Sequence, residues 1–123
     1  MKLFILIFIF LLPVSKFCYA ENNINNIIID SILTDCIKIK KNELVAYHNF
    51  LFLDTSWDVK NNIGNCGCKS ALIQYDVNLI SDQQHIVHGV VSSLKKKNHE
   101  FIINSDNSIF KNERFKLIIN CAN

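Results

Sequence analysis

Apolar residues fall along this chain in two rhythms. The first is an unbroken run from Leu3 to Leu12, behind Met1-Lys2 and ahead of Pro13. A polar-to-small stretch ending Cys18-Tyr19-Ala20 follows. A basic start, a short apolar core and a small residue at the exit form the three-part pattern of a cleavable signal peptide over residues 1–20. The run is too short to cross a bilayer, which takes about 20 apolar residues, so no stable membrane span is expected after cleavage. The competing reading, a buried N-terminal helix, finds no continuation in the polar Glu21-Asn22-Asn23. Cys18 follows Lys16-Phe17, where a lipid-attachment cysteine would need small residues, and is assigned to the discarded peptide.

The second rhythm is alternation. After a polar, Asn-rich start at Glu21–Asn26, β-branched and aromatic residues are dense and Gly is rare. Ile27–Leu33 reads as a strand or a short helix, since its run of three isoleucines, Ile27-Ile28-Ile29, has no clear period. Ile37 and Ile39 alternate with Lys38 and Lys40, which predicts a half-buried strand over Cys36–Lys40 and a turn at Asn42-Glu43. Leu44–Leu53 reads as one long strand, buried on both faces over part of its length. Asp54–Asn65 reads as a loop carrying Trp57. Over Ser70–Ile80 the residues Ala71, Ile73, Tyr75, Val77 and Leu79 share one face, against Gln74, Asp76 and Asn78 on the other.

A turn at Ser81–Gln84 leads to a hairpin of Ile86–Leu94 with His99–Ile103 around Lys95–Asn98, then an exposed loop at Asn104–Glu113. Arg114–Cys121 closes the chain with Phe115, Leu117, Ile119 and Cys121 pointing one way. Six or seven short strands without a convincing amphipathic helix predict an all-β domain over residues 21–123. A small antiparallel β-sandwich of immunoglobulin-like form is the first choice, and a small β-barrel the alternative.

Cysteine content sharpens this picture. The exported chain would carry Cys36, Cys66, Cys68 and Cys121, an even number behind an export signal, which reads as two disulfides in an oxidising compartment. Four cysteines allow three pairings. A bond between Cys66 and Cys68 would close a strained small ring across one residue and is discounted. The two remaining arrangements tie Cys36 and Cys121, one each, to the Cys66-Gly67-Cys68 segment, and the sequence does not choose between them. About 100 residues support one core, and staples help a core of that size.

Charge narrows the function. Of 13 basic residues, Lys2 and Lys16 leave with the signal, so 11 remain against 11 acidic ones and the exported chain is neutral. The run Lys95-Lys96-Lys97 reads as a solvated turn. A neutral chain without a dense basic patch is no nucleic-acid binder.

Candidate chemistry is sparse. Thiol–disulfide exchange at Cys66 and Cys68 would leave Cys36 and Cys121 to pair together or stay free, and the only proline, Pro13, lies in the signal, whereas thioredoxin-like oxidoreductases place a proline beside their redox pair. His48, His85, His88 and His99 could in principle bind a metal. His85 and His88 are three apart, however, which on a regular strand sends them to opposite faces. No metal and no cofactor are expected. No Gly-x-Ser-x-Gly elbow and no paired carboxylates support hydrolysis, so no catalytic residue is assigned and the chain is read as a non-enzyme.

The remaining candidate is an interaction surface at Gly67 and Lys69 with Trp57 as an apolar anchor. Two disulfides would hold that backbone rigid, and Gly67 would let a partner backbone come close. The structural alternative is that Gly67 only permits the turn and Lys69 is a solvated lysine. Tyr75 on the inward face reads as a packed tyrosine with its hydroxyl satisfied.

The segment Cys66-Gly67-Cys68-Lys69-Ser70-Ala71-Leu72, with Tyr75 three residues on, resembles the core signature of a family of small exported bacterial proteins catalogued as domain of unknown function 2195. Chain size, the export signal, Cys36 and the closing Cys121 also fit. The resemblance implies a periplasmic or secreted bacterial protein and carries no catalytic residue. The reading is therefore an exported envelope protein acting as a non-catalytic module that binds an envelope protein or polymer. A small periplasmic redox or metal-handling protein using Cys66 and Cys68 is the alternative.

Overall fold

The computed structural model describes residues 23–81, 83–93, 98–104 and 113–122. The expected signal peptide at residues 1–20, the Lys95–Lys97 turn and most of the loop after Asn104 lie outside them. The described residues form seven strands: β1 (Ile27–Ser31), β2 (Ile37–Tyr47), β3 (Phe50–Val59), β4 (Leu72–Leu79), β5 (His85–Ser92), β6 (Asn98–Asn104) and β7 (Phe115–Cys121). They form a four-stranded sheet of order β1-β7-β4-β5 and a three-stranded sheet of order β2-β3-β6. The architecture is a two-sheet sandwich, not a closed barrel, and among the described residues the helical structure is limited to short 3₁₀ turns. One pairing departs from the antiparallel expectation: β1 runs parallel to β7, Ile27 opposite Phe115 and Ile29 opposite Leu117.

The alternation of β4 and β7 makes the centre of the larger sheet. Ile73, Tyr75 and Val77 from β4 and Phe115, Leu117 and Ile119 from β7 are buried. They meet Leu51, Leu53, Phe101 and Ile103 from the smaller sheet in a single core. Tyr75 spans the two layers, its ring edge-on to Phe101 at 4.9 Å. Burial pushes its hydroxyl pKa above the ordinary 10.0, with a hydrogen bond from the Ile102 backbone acting the other way.

Several element boundaries differ from the sequence reading, each for an identifiable reason. Asn42-Glu43 is a bulge, not a turn: the β2–β3 register shifts between Lys41 and Glu43. The Asn42 amide donates to Ser56 Oγ at 2.6 Å and to Asp54 Oδ2 at 3.4 Å, which keeps it on the strand. The apparent long strand Leu44–Leu53 is two strands folded back on a tight turn. His48 and Asn49 take φ of 47° and 67°, the left-handed pair that suits a two-residue hairpin.

Asp54–Asn65 is not a loop throughout, because β3 continues to Val59. Leu51, Leu53, Thr55 and Trp57 face inward. Thr55 stays buried because its hydroxyl donates to the His99 carbonyl at 2.7 Å and accepts from Trp57 Nε1 at 3.0 Å. Finally, β5 and β6 do not pair with each other. The hairpin is β4–β5, while β6 crosses to the other sheet and pairs with β3.

Candidate functional site

The crossover from β3 to β4 carries the paired-cysteine segment. Asn62 caps a 3₁₀ turn over Ile63–Cys66, its side chain accepting from the Gly64 amide at 2.8 Å. Gly67 then takes φ 92°, a left-handed conformation that L side chains rarely adopt, and its amide returns to the Gly64 carbonyl at 3.2 Å. Nothing lies within 4 Å of where a Gly67 Cβ would sit, so the backbone conformation alone calls for glycine there.

The four cysteines among the described residues are all disulfide-bonded, Cys36 to Cys66 and Cys68 to Cys121. This selects one of the two pairings left open by spacing. Cys36 precedes β2 of the smaller sheet and Cys121 ends β7 of the larger, so the Cys66-Gly67-Cys68 corner is tied to both layers. Cys66 and Cys68 belong to different bridges and do not form a dithiol couple.

Beside the corner lies a cleft of about 370 Å³, lined among others by Asn62, Ile63, Cys68, Lys69, Ser70 and Ser93. Lys69 and Ser70 are exposed at its rim. The Ser93 hydroxyl is held by the Ala71 carbonyl at 2.8 Å. Of the residues singled out in the sequence, Lys69 lines this cleft and Gly67 lies on the corner beside it, while Trp57 does not line it. Trp57 is only 6% exposed, its ring stacked on His99 at 3.7 Å and lying over Phe101 at 6.0 Å. As a core residue of β3 it cannot anchor an outside partner.

A second polar cluster was not foreseen. The β4–β5 register pairs Val77 with Val87 but Asn78 with His85, which leaves Ile86 as an extra residue. This β-bulge breaks the strict two-residue period. His85 and His88 therefore share the outer face instead of opposing one another. His88 Nδ1 lies 2.7 Å from Asp76 Oδ1, and His85 Nε2 lies 3.7 Å from the same oxygen. His85 Nδ1 lies 3.1 Å from Asn78 Oδ1. The other two histidines are elsewhere, His48 in the β2–β3 turn and His99 buried on β6. Asp76 and Asn78 had been placed on the outer face by alternation, but nothing in the sequence marked the bulge that brings the imidazoles to them.

Two sheets of four and three strands around one core, stapled by two disulfides, define a small disulfide-bonded β-sandwich domain. The chain belongs to the bacterial family described as "Uncharacterized protein conserved in bacteria (DUF2195)", whose model matches residues 11–123. No curated protein matches the chain, and no solved structure matches it.

Proposed function

We propose that this protein is a non-catalytic binding module of the bacterial cell envelope, and that it meets its partner at the cleft beside the Cys66-Gly67-Cys68 corner. The observation that carries this reading is the convergence of both disulfides on three consecutive residues next to that cleft. A backbone fixed from two directions loses little further freedom when a partner binds, so less of the interaction is spent on ordering it. Four oxidised cysteines and the N-terminal signal pattern support work outside the cytoplasm, in the periplasm or beyond the cell. No helix among the described residues is long and apolar enough to cross a membrane.

Cleft chemistry points to a polar partner with an anionic group. Lys69 supplies an ammonium on a flexible stem, while Asn62 and Ser70 supply neutral donors and acceptors. The partner this suits is an envelope protein presenting a carboxylate. Thiol chemistry at Cys66 and Cys68 is the weaker reading, since each sulfur is already bonded to a different partner.

The test is photo-crosslinking from position 70 in cells of the native host, with the captured protein identified by mass spectrometry. A single partner, lost in Lys69→Ala at unchanged melting temperature, supports the cleft. Equal capture from a probe on the outer face of β7, or no effect of Lys69→Ala, overturns it.

A further inference from the structure

The outer face of the smaller sheet is sorted along its strands. Alternation turns Leu51, Leu53, Thr55 and Trp57 inward, so Phe50, Phe52, Asp54, Ser56 and Asp58 look outward. Register then fixes the rows. Tyr47 lies opposite Phe50 at the hairpin tip. Val45, Phe52 and Ile102 form the next row across all three strands, and Glu43, Asp54 and Glu100 the row after that. An apolar patch thus ends on a line of three carboxylates. We propose that this patch and the adjoining edge of β2 dock an extended segment of a partner protein, one that carries apolar side chains at alternate positions followed by lysine or arginine.

The patch is contiguous and open to solvent. Tyr47 is 63% exposed, Phe50 40% and Val45 38%, with Phe52 and Ile102 half-buried beside them. The Phe50 and Phe52 rings stand 6.1 Å apart, and Tyr47 lies edge-on to His48 at 4.1 Å. Adjoining exposed apolar side chains rimmed by charge are the mark of an interaction site.

The strand edge determines the form of the partner. Among the described residues β2 pairs only with β3, so its other side carries the unpaired N–H and C=O groups of an edge strand. The two halves of that edge differ. Lys38, Lys40, Lys41 and the bulge at Asn42 protect the first half, and Lys41 Nζ donates to the Ile27 carbonyl at 2.7 Å, which draws the start of β1 to it. Past the bulge, residues 43–47 keep an unbroken register with β3 and include neither lysine nor proline. A strand added there would set every second side chain beside Tyr47, Val45 and Glu43.

Charge determines the partner's sequence. No ion pair among the described residues engages Glu43, Asp54 or Glu100. Asp54 accepts from the Asn42 amide at 3.4 Å. The lysines of this face, Lys38 and Lys40, stand on the other side of the bulge, opposite Asp58 and Ser56. The row of carboxylates therefore favours a cation on the partner and repels the anionic headgroups of a membrane surface. Lipid also offers nothing to the open backbone edge. A second copy of this chain fits less well, since edge-to-edge pairing about Val45 sets Glu43 against Tyr47 and brings no cation to the row. This surface is separate from the cleft, which reaches Val59 at the opposite end of β3, about 30 Å from Phe50.

The probe is a capped synthetic peptide in which leucine alternates with threonine and the last two alternate positions are lysine. It is titrated into isotope-labelled, disulfide-bonded protein and followed by backbone amide shifts. Saturable binding is expected, with shifts centred on residues 43–47 and 50–54. Replacing the peptide's lysines by glutamate, or moving its leucines to consecutive positions, should weaken binding about 10-fold or more, and both changes leave the protein untouched. Tyr47→Ser and Glu43→Lys, with folding checked by melting temperature, should lose as much, while Lys69→Ala at the cleft binds as wild type. No shift at millimolar peptide overturns the proposal. Equal binding of the lysine and glutamate peptides, or of the alternating and consecutive ones, overturns it too. So does tighter association with phosphatidylethanolamine–phosphatidylglycerol vesicles than with the peptide, or self-association of the protein alone that shifts residues 43–47 as its concentration rises.

Discussion

Gly89→Ala probes how tightly the two layers close. Gly89 on β5 lies directly opposite Tyr75 on β4. A Cβ at position 89 would sit 2.5 Å from Tyr75 Cε1 and Cζ and 2.6 Å from its hydroxyl oxygen. These atoms belong to a side chain only 5% exposed, whose ring also packs edge-on to Phe101 at 4.9 Å. At such distances strand or ring must shift. Overpacking of this kind costs about 1–3 kcal/mol. The stiffer unfolded chain of alanine returns about 0.4–1 kcal/mol. At the midpoints of those ranges the net loss is about 1.3 kcal/mol, which for a domain of this size lowers the melting temperature by roughly 5–10 °C. Thermal and urea melts of the oxidised protein measure it. A double-mutant cycle identifies the cause: in a Tyr75→Ala background the obstacle is gone, and Gly89→Ala should become neutral or mildly stabilising. A wild-type melting temperature for Gly89→Ala, or the same loss in both backgrounds, would refute the packing argument.

Two other outcomes are expected from stability measurements. Because burial raises the pKa of Tyr75 above its ordinary 10.0, the folded protein keeps a proton that the unfolded chain releases. Stability is therefore complete below pH 10 and falls as pH climbs past it; urea midpoints should show this slope, and Tyr75→Phe should reduce it. The staples should differ in weight, since Cys68–Cys121 spans 53 residues and Cys36–Cys66 spans 30. By loop entropy, removing the longer bridge through paired Cys→Ala changes costs about 4 kcal/mol and the shorter about 0.5 kcal/mol less, an order that urea midpoints can reverse or uphold.

How much was legible in the sequence depended on whether local pattern and tertiary role agreed. In β4 and β7 they agreed: the alternating residues Ile73, Tyr75 and Val77, and Phe115, Leu117 and Ile119, are the buried ones. Oxidation of Cys36, Cys66, Cys68 and Cys121 and the exclusion of a Cys66–Cys68 bond also followed from number and spacing. In β3 they disagreed, because Asp54, Thr55, Ser56 and Asp58 look like loop composition. What makes that stretch a strand is a partner 44 residues away, the His99 carbonyl that satisfies Thr55. The His48–Asn49 turn escaped notice because no glycine or proline marks it, although Asn tolerates the left-handed region. Trp57 was placed in a loop by the same misreading of β3, and its role as an exposed anchor fell with that placement.

The bulges at Asn42 and Ile86 illustrate why function was harder to read than fold. A bulge is one residue that the ladder skips, and it leaves no mark in composition. At Asn42 it costs the sequence reading only a boundary. At Ile86 it reverses a placement, because the period-two rule that separates His85 from His88 holds only where the register is unbroken. The disulfide corner and the histidine cluster follow opposite logics. At the disulfide corner the sequence displays its chemistry openly, and the fold adds a cleft and rigidity. At the bulge the residues are individually ordinary, a carboxylate, an amide and two imidazoles on a polar strand face, and only the register makes them a set. The corner lies where β4 begins, at Leu72 beside the Cys68–Cys121 bridge, while the imidazoles pair with Asp76 and Asn78 further along that strand. The sheet therefore holds one region fixed by covalent bonds and another positioned only by backbone pairing, so a shift confined to the bulged end of the β4–β5 pairing would dismantle the histidine group and leave the Cys66-Gly67-Cys68 corner tied to both layers.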